Sequence, residues 1–526
     1  MSTVRKTPGV YTTEENAFPN SVVAVETAVP AFIGYTPQAE YEGVSYTNKA
    51  TKITSMAEFQ AIYTLPEPAA PADPPQQYTP HYYLVAQESM PDKGDHMTIE
   101  GTYYSILPDP STIYYLYNSI RLFYENGGGD AYIVSVGGYD SQSNKSLANA
   151  GDQIVNPNVS LDALKAGLAL LKNEQAPTLY ICPEATLLNV ADNGTLMQLM
   201  LLQANEMQTA ECIFDIIGGR DPDPILYTQD IQTFRDNTGS EGLMYGVSYY
   251  PFVDTTIMQS GDIDYTNFFG GDVKQLEPLL NPSTNPNADA ATILGQIENP
   301  PSDPLSVSQY NAALISASPT YALMVNHALS QSNILPPSGG MAGVYTTNDN
   351  NMGVWQAPAN VSIVGVADLP IKLSDSQQEN LNIDVVSGKS INAIRYFNGQ
   401  GILVWGARTL DGNSQDWRYI SVRRTMTMLE QSCKLAARAY MFESNAANTW
   451  AAVKSMISSF LNSVWSDGGL QGASAADAFS VDIGLGTTMT SEDILNGIMR
   501  VSVKVAPVHP AEFIVISFEQ EMVQSG

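Results

Sequence analysis

Three short stretches carry residue types that could do chemistry. Asn126-Gly-Gly-Gly-Asp130 has the glycine density of a phosphate cradle. It stands between a predicted helix and a predicted strand, however, so its amides would not converge at a helix N-terminus. Gly399-Gln-Gly401 opens like a dinucleotide fingerprint but lacks the third glycine and lies in strand-forming sequence. Gly261-Asp-Ile-Asp264 resembles the start of a calcium loop, yet Asn267 replaces the required glycine and the downstream bidentate glutamate is missing. The four histidines (His81, His96, His327, His509) are scattered, which denies a general base its usual setting, and without a C-x-x-C pair no zinc site is expected. These stretches read as turns and an acidic surface loop, so no catalytic residue, cofactor or metal is expected.

The elements around them must therefore carry another kind of function. At 526 residues, with 44% hydrophobic residues, the chain can bury several cores and needs no covalent staple. Cys182, Cys212 and Cys433 lie in apolar contexts, which argues against a disulfide framework and fits a reducing cytoplasm. No signal-peptide pattern opens the chain and no apolar run could span a bilayer, so neither export by that route nor membrane insertion is expected. A net charge of -30 disfavours nucleic acid and anionic membranes as partners. The charge is segregated: residues 1–384 hold 13 Lys+Arg against 42 Asp+Glu, whereas residues 385–526 hold 11 against 12. One side meeting a partner and another meeting solvent would produce that division.

Along the chain, helix, turn and strand alternate. Helices are predicted over 114–124, 161–171, 196–207 and 226–236, with strands at 31–34, 131–136, 178–182, 212–217 and within 243–250. This predicts a layered α/β domain with a mainly parallel sheet. Ser21 to Val25 reads as a further strand, 308–329 as a helix with a break at Pro319, and Pro336 to Pro358 as a turn-rich segment. Strands follow near 361–366, 391–396 and 402–406. Residues 65–111 and 254–304 show no period and read as excursions with at most short elements.

The strongest helical signal runs from Trp417 to Trp465. Val422, Met426, Leu429, Cys433 and Tyr440 recur at helical steps, with Arg424, Gln431, Lys434 and Arg438 on another face. A core side and a basic side are expected. Ser444 and Asn445 offer N-cap chemistry to a second helix, stopped at Asp467-Gly468-Gly469. Val501, Val503 and Val505 alternate with polar residues as a strand, and Phe513 to Glu519 follows the Pro507–Pro510 break as another extended run. Val10 to Glu15 is extended too, between Pro8-Gly9 and Pro19-Asn20. Extended ends without partners close a sheet in their own chain or add to a neighbour's.

Five segments together resemble one family. TPGVYTTE followed by SVVAVETAVPAFIGYT, NGGGDAYIVSV (126–136), PPSGGMAGVYTTNDNNMGVWQAPAN (336–360), INAIRYFNGQGILVWGARTL (391–410) and DWRYISVRRTMTMLEQS (416–432) are similar, in order, to segments of contractile phage-tail sheath proteins and the sheaths of phage-tail-like injection particles. The resemblance spans most of the chain outside the two excursions.

It implies an α/β and α+β multidomain fold: an extended arm at 1–20, an outer α/β region at 21–355 with insertions near 65–111 and 254–304, an inner C-terminal α+β domain at 356–506 facing a tube, and a second arm at 507–526. It implies arms that add strands to a neighbour's small sheet. Val10, Tyr11, Thr12 and Thr13, and Phe513, Ile514, Val515 and Ile516, would then be the crossing residues, and Val501, Val503 and Val505 the acceptor. Arg423, Arg424, Lys434 and Arg438 become candidates for tube contact, since a few exposed charges can hold weakly and let go. The implied partners are further copies in six-fold stacked rings, an inner tube protein, baseplate and terminator or cap proteins, and sibling sheath proteins, in a phage tail, extracellular or membrane-anchored (type VI secretion-like) particle assembled in the bacterial cytoplasm. The implied mechanism is contraction of a metastable lattice. An α/β enzyme or a surface-binding module with accessory domains are the alternatives.

Overall fold

The structure, a computed structural model, describes residues 22–65, 68–72, 78–91, 96–139 and 143–513. Among the described residues the chain divides into two compact units, one of residues 26–424 with 509–513 and one of residues 22–25 with 425–508.

The larger unit is built on an eight-stranded sheet. In chain order its strands are β1 (Pro30–Gly34), β2 (Ala50–Ile53), β3 (Ala131–Ser135), β4 (Leu179–Ile181), β5 (Glu211–Asp215), β6 (Gly246–Tyr250), β7 (Asn392–Phe397) and β8 (Gly401–Trp405). Their spatial order is β8-β7-β6-β5-β4-β1-β3-β2. The six inner strands from β7 to β3 run parallel, and β8 and β2 close the two edges antiparallel. Strands such as Pro-Ala-Phe-Ile-Gly and Leu-Tyr-Ile are buried at every residue, as a sheet covered by helices on both faces requires. The predicted α/β alternation is what the structure contains.

Three expectations need correction. Val22 to Glu26 forms no strand. The Pro336 to Pro358 segment is largely a helix, Ser338–Met352, with every residue from Ser338 to Thr346 buried. Its glycines serve close packing, not turns: a Cβ at Gly339 would lie 2.4 Å from the Ser119 carbonyl oxygen, and one at Gly343 2.5 Å from that of Phe123. Helix Leu116–Glu125 can approach this closely because those side chains are missing. Third, the two excursions fold together. A three-stranded antiparallel sheet (Tyr82–Gln87, His96–Ile99, Thr102–Pro108) shares one apolar core with helices Val273–Leu280, Ala288–Glu298, Val307–Ala317 and Pro319–Ser332. Tyr265, Phe268, Leu276, Leu294, Tyr310 and Tyr321 lie at its centre. Asp272 and Asn287 cap the first two of those helices, so residues read as breakers are start signals.

The expected boundary near residue 356 lies elsewhere, because β7 and β8 complete the large sheet and the smaller unit begins at Thr425. Helix Ile420–Ala437 is buried at every residue from Ile420 to Thr425, arginines included, so the expected division into a core side and a basic side fails over its first two turns. In the smaller unit helix Ala447–Ser466 buries Val453, Met456, Ile457, Phe460, Leu461 and Val464, as its period predicts. Ala446 sits at its N-cap without a side-chain bond, and Asn445 instead donates to the Ile498 carbonyl (3.1 Å) and accepts from the Trp450 indole N–H (2.7 Å).

Candidate assembly surfaces

In a sheet wound this way a phosphate-bearing ligand would sit at the carboxyl ends of the parallel strands, against helix N-termini. Here the chain's own carboxylates fill that position. Glu184, just after β4, accepts from the Leu116 amide at the start of helix Leu116–Glu125 (2.9 Å). Asp215, the last residue of β5, accepts from the Ser338 amide (2.9 Å) and hydroxyl (2.6 Å) at the start of helix Ser338–Met352. Both acids are buried. Burial pushes Glu184 up to about 8 and Asp215 to about 7, against the pull of the helix amides and the Ser338 hydroxyl.

An acid whose folded value is raised destabilises the fold as pH climbs, because the unfolded chain ionises first. For Glu184 that loss is absent below about 4.5 and complete above about 8. Glu184→Gln is therefore expected to flatten the decline in unfolding free energy between those limits by a few kcal/mol. Urea titrations at intervals across that range measure it, and slopes identical to the unsubstituted chain would refute the assignment.

The tube-contact candidates separate into two kinds. Arg424 is buried and makes two bonds to Asp349, Nη1 to Oδ1 at 2.9 Å and Nη2 to Oδ2 at 2.5 Å, and a third to the Thr27 carbonyl at 2.8 Å. The Thr27 hydroxyl donates to the same Asp349 Oδ2 (2.6 Å), and the guanidinium lies 4.5 Å from the centre of the Tyr345 ring. Arg423 is buried between the rings of Trp417 (4.2 Å) and Tyr245 (5.0 Å). Close by, burial raises Glu211 to about 8 although both arginines pull it down. Arg423 and Arg424 are thus internal, and their reading as exposed tube contacts is corrected: an arginine at helical spacing says nothing of which side faces water until the sheet edge behind it is known. Lys434 and Arg438 are exposed.

The strand expected at Val501 to Val505 is present over Ser502–Val505. Ser502–Val505 pairs antiparallel with Phe479–Asp482, Val503 opposite Val481 and Val505 opposite Phe479, while Val501 lies just outside the strand. Among the described residues this sheet has two strands, fewer than a sheet needs for stability alone, and its outer edges offer unpaired ladder groups. The unit also exposes apolar surface. Phe442 stands wholly in solvent, with Leu495 86% and Ile498 40% exposed. Of the expected crossing residues, Phe513 is exposed, whereas Val10, Tyr11, Thr12, Thr13, Ile514, Val515 and Ile516 lie outside the described residues. Among the described residues no His, Cys, Asp and Glu cluster could hold a metal, and no helix is long and apolar enough to cross a membrane.

Residues 285–410 match the phage tail sheath protein central domain, and residues 413–521 the phage tail sheath C-terminal domain. The helical sheath of the anti-feeding prophage in its contracted state is 25% identical, with a TM-score of 0.57 over 98% of this chain and 100% of that one. The sheath of an extracellular contractile injection system, the PVC sheath complex in its contracted state, shares the fold at 24% identity and a TM-score of 0.56, over 99% of each chain. The tail sheath protein of Vibrio phage KVP40 is 28% identical over 139 residues, which are 26% of this chain and span about a fifth (20%) of that relative. The fold is thus that of a tail sheath subunit. The chain is similar to contractile tail sheath proteins, in sequence over its two matched domains and in fold along its whole length.

Proposed function

We propose that the chain is a structural subunit of the contractile sheath of a phage-tail-like injection particle, polymerising as stacked rings and contracting to drive an inner tube. The observation that carries this reading is a likeness to a contracted helical sheath that runs the length of both chains. Carboxylates that fill the place of a phosphate support a mechanical role over an enzymatic one. Both whole-length relatives named above come from phage-tail-like particles, which favours a device of that kind over a phage, with self-assembly and baseplate attachment as its associations.

In this reading the first twenty residues and those following Phe513 leave their own subunit and lengthen the small sheet at 479–482 and 502–505 in neighbours. Main-chain ladders hold direction and register while the units they join swing. Hundreds of subunits then sum small individual gains into the work of penetration. Lys434 and Arg438 are the remaining candidates for tube contact, where exposed charges each contribute roughly 0–1 kcal/mol and release readily.

Deleting residues 1–15 is expected to abolish tubes and rings in negative-stain images while leaving far-ultraviolet circular dichroism and the melting transition of the subunit nearly unchanged. Polymerisation of the shortened chain at the concentration of the full one would overturn the proposal.

A further inference from the structure

We propose that Glu512 is a positioning residue that clasps the chain to the larger unit one residue before the crossing segment begins, so that tension on that segment is received at Arg408. The inference rests on the strand-exchange reading above.

Residues 509–513 have no regular secondary structure, and one side chain among them gathers donors from three places. Glu512 Oε1 accepts from the Asn382 side-chain amide (2.7 Å) and from Arg408 Nε (2.9 Å). Its Oε2 accepts from Arg408 Nη2 (2.6 Å), from Arg408 Nε (3.1 Å) and from the Tyr419 hydroxyl (3.2 Å). Asn382 ends helix Asp375–Asn382, Arg408 follows β8, and Tyr419 immediately precedes helix Ile420–Ala437. The His509 ring meets Tyr419 edge-on at 6.0 Å and secures the same segment a second time.

An exposed ion pair would fix little. This one is different: the Arg408 side chain is 5% exposed, that of Glu512 19%, and both carboxylate oxygens are satisfied in a forked geometry. Arg408 is in turn tied to the sheet. Its amide donates to Asn392 Oδ1 (2.8 Å) and its carbonyl accepts from Asn392 Nδ2 (2.8 Å), and Asn392 opens β7. The next residue along the chain, Phe513, is already 68% exposed. Held and released positions are thus adjacent, which is where an anchor for an outgoing strand belongs.

Three full-length variants and one shortened chain test this. Glu512→Ala is expected to raise the critical concentration for polymerisation about tenfold or more, because Arg408 is left buried without its partner and the outgoing segment loses its charged anchor. Amide exchange should quicken at 509–513 and stay slow in β5 and β6. Glu512→Gln, which keeps an acceptor oxygen, should fall between. Arg408→Met combined with Glu512→Leu removes both charges and strands neither, leaving only the neutral Asn382 amide and Tyr419 hydroxyl without this acceptor, so it should fold and still assemble poorly. Assembly of that double variant, or of Glu512→Ala, at the unsubstituted concentration overturns the clasp. A chain ending at Glu512 keeps the clasp and lacks the crossing segment. If it polymerises normally, strand exchange at this end is wrong whatever the clasp variants do.

Discussion

Asp349→Ala is expected to destabilise the larger unit by about 3–5 kcal/mol, the loss found when one member of a buried ion pair is removed. Arg424 would be left charged, with no carboxylate within reach except Glu211, which burial holds toward its neutral form. Asp349 also accepts from Thr27, so the substitution disturbs the chain leading into β1 as well. The size of the loss reflects a stranded charge more than the worth of the pair. Asp349→Leu with Arg424→Met should therefore recover most of the stability. Urea unfolding of the two variants decides it: a loss below about 1 kcal/mol for the single change would mean that the pair is not buried in solution.

Gly343→Ala is the second large effect, and here helix propensity and packing pull in opposite directions. In an open helix the change gains about 1 kcal/mol. At Gly343 the new methyl would lie 2.5 Å from both the Phe123 carbonyl oxygen and the Asn126 Cβ, so backbone must move. We expect a net destabilisation of about 2–3 kcal/mol from overpacking. Gly295 supplies the control. It lies in helix Ala288–Glu298, where a Cβ would meet nothing within 4 Å, and Gly295→Ala should stabilise by up to about 1 kcal/mol. Opposite signs for the two substitutions in thermal or urea unfolding are the result sought, and equal signs would refute the packing argument.

Much of the α/β unit was legible because buried parallel strands are continuous apolar runs and their covering helices carry a clear period. Strands 31–34, 131–136 and 212–217 fall within a residue or two of the observed ones. The helix at 338–352 was hidden for the opposite reason. Its glycines and small polar residues imitate a loop, and only contact with Leu116–Glu125 shows that they are absent side chains. The core shared by the two excursions was invisible for want of locality, since strands from 82–108 meet helices from 273–298 only when the helices at 307–332 join them. At the assembly surfaces the Ser502–Val505 strand was readable from alternation. The burial of Arg423 and Arg424 was not, because spacing places a residue on a helix face without saying what covers that face. Glu512 gave no signal at all: a lone glutamate beside prolines becomes a clasp only when Asn382, Arg408 and Tyr419 are brought to it.

A reconstruction of the assembled particle at side-chain detail tests the central claim most directly. Main-chain hydrogen bonds are expected to run between subunits, with the residues after Phe513 of one copy lying along the small sheet at 479–482 and 502–505 of another. Both chain ends paired within their own subunit, and no ladder between copies, would contradict it.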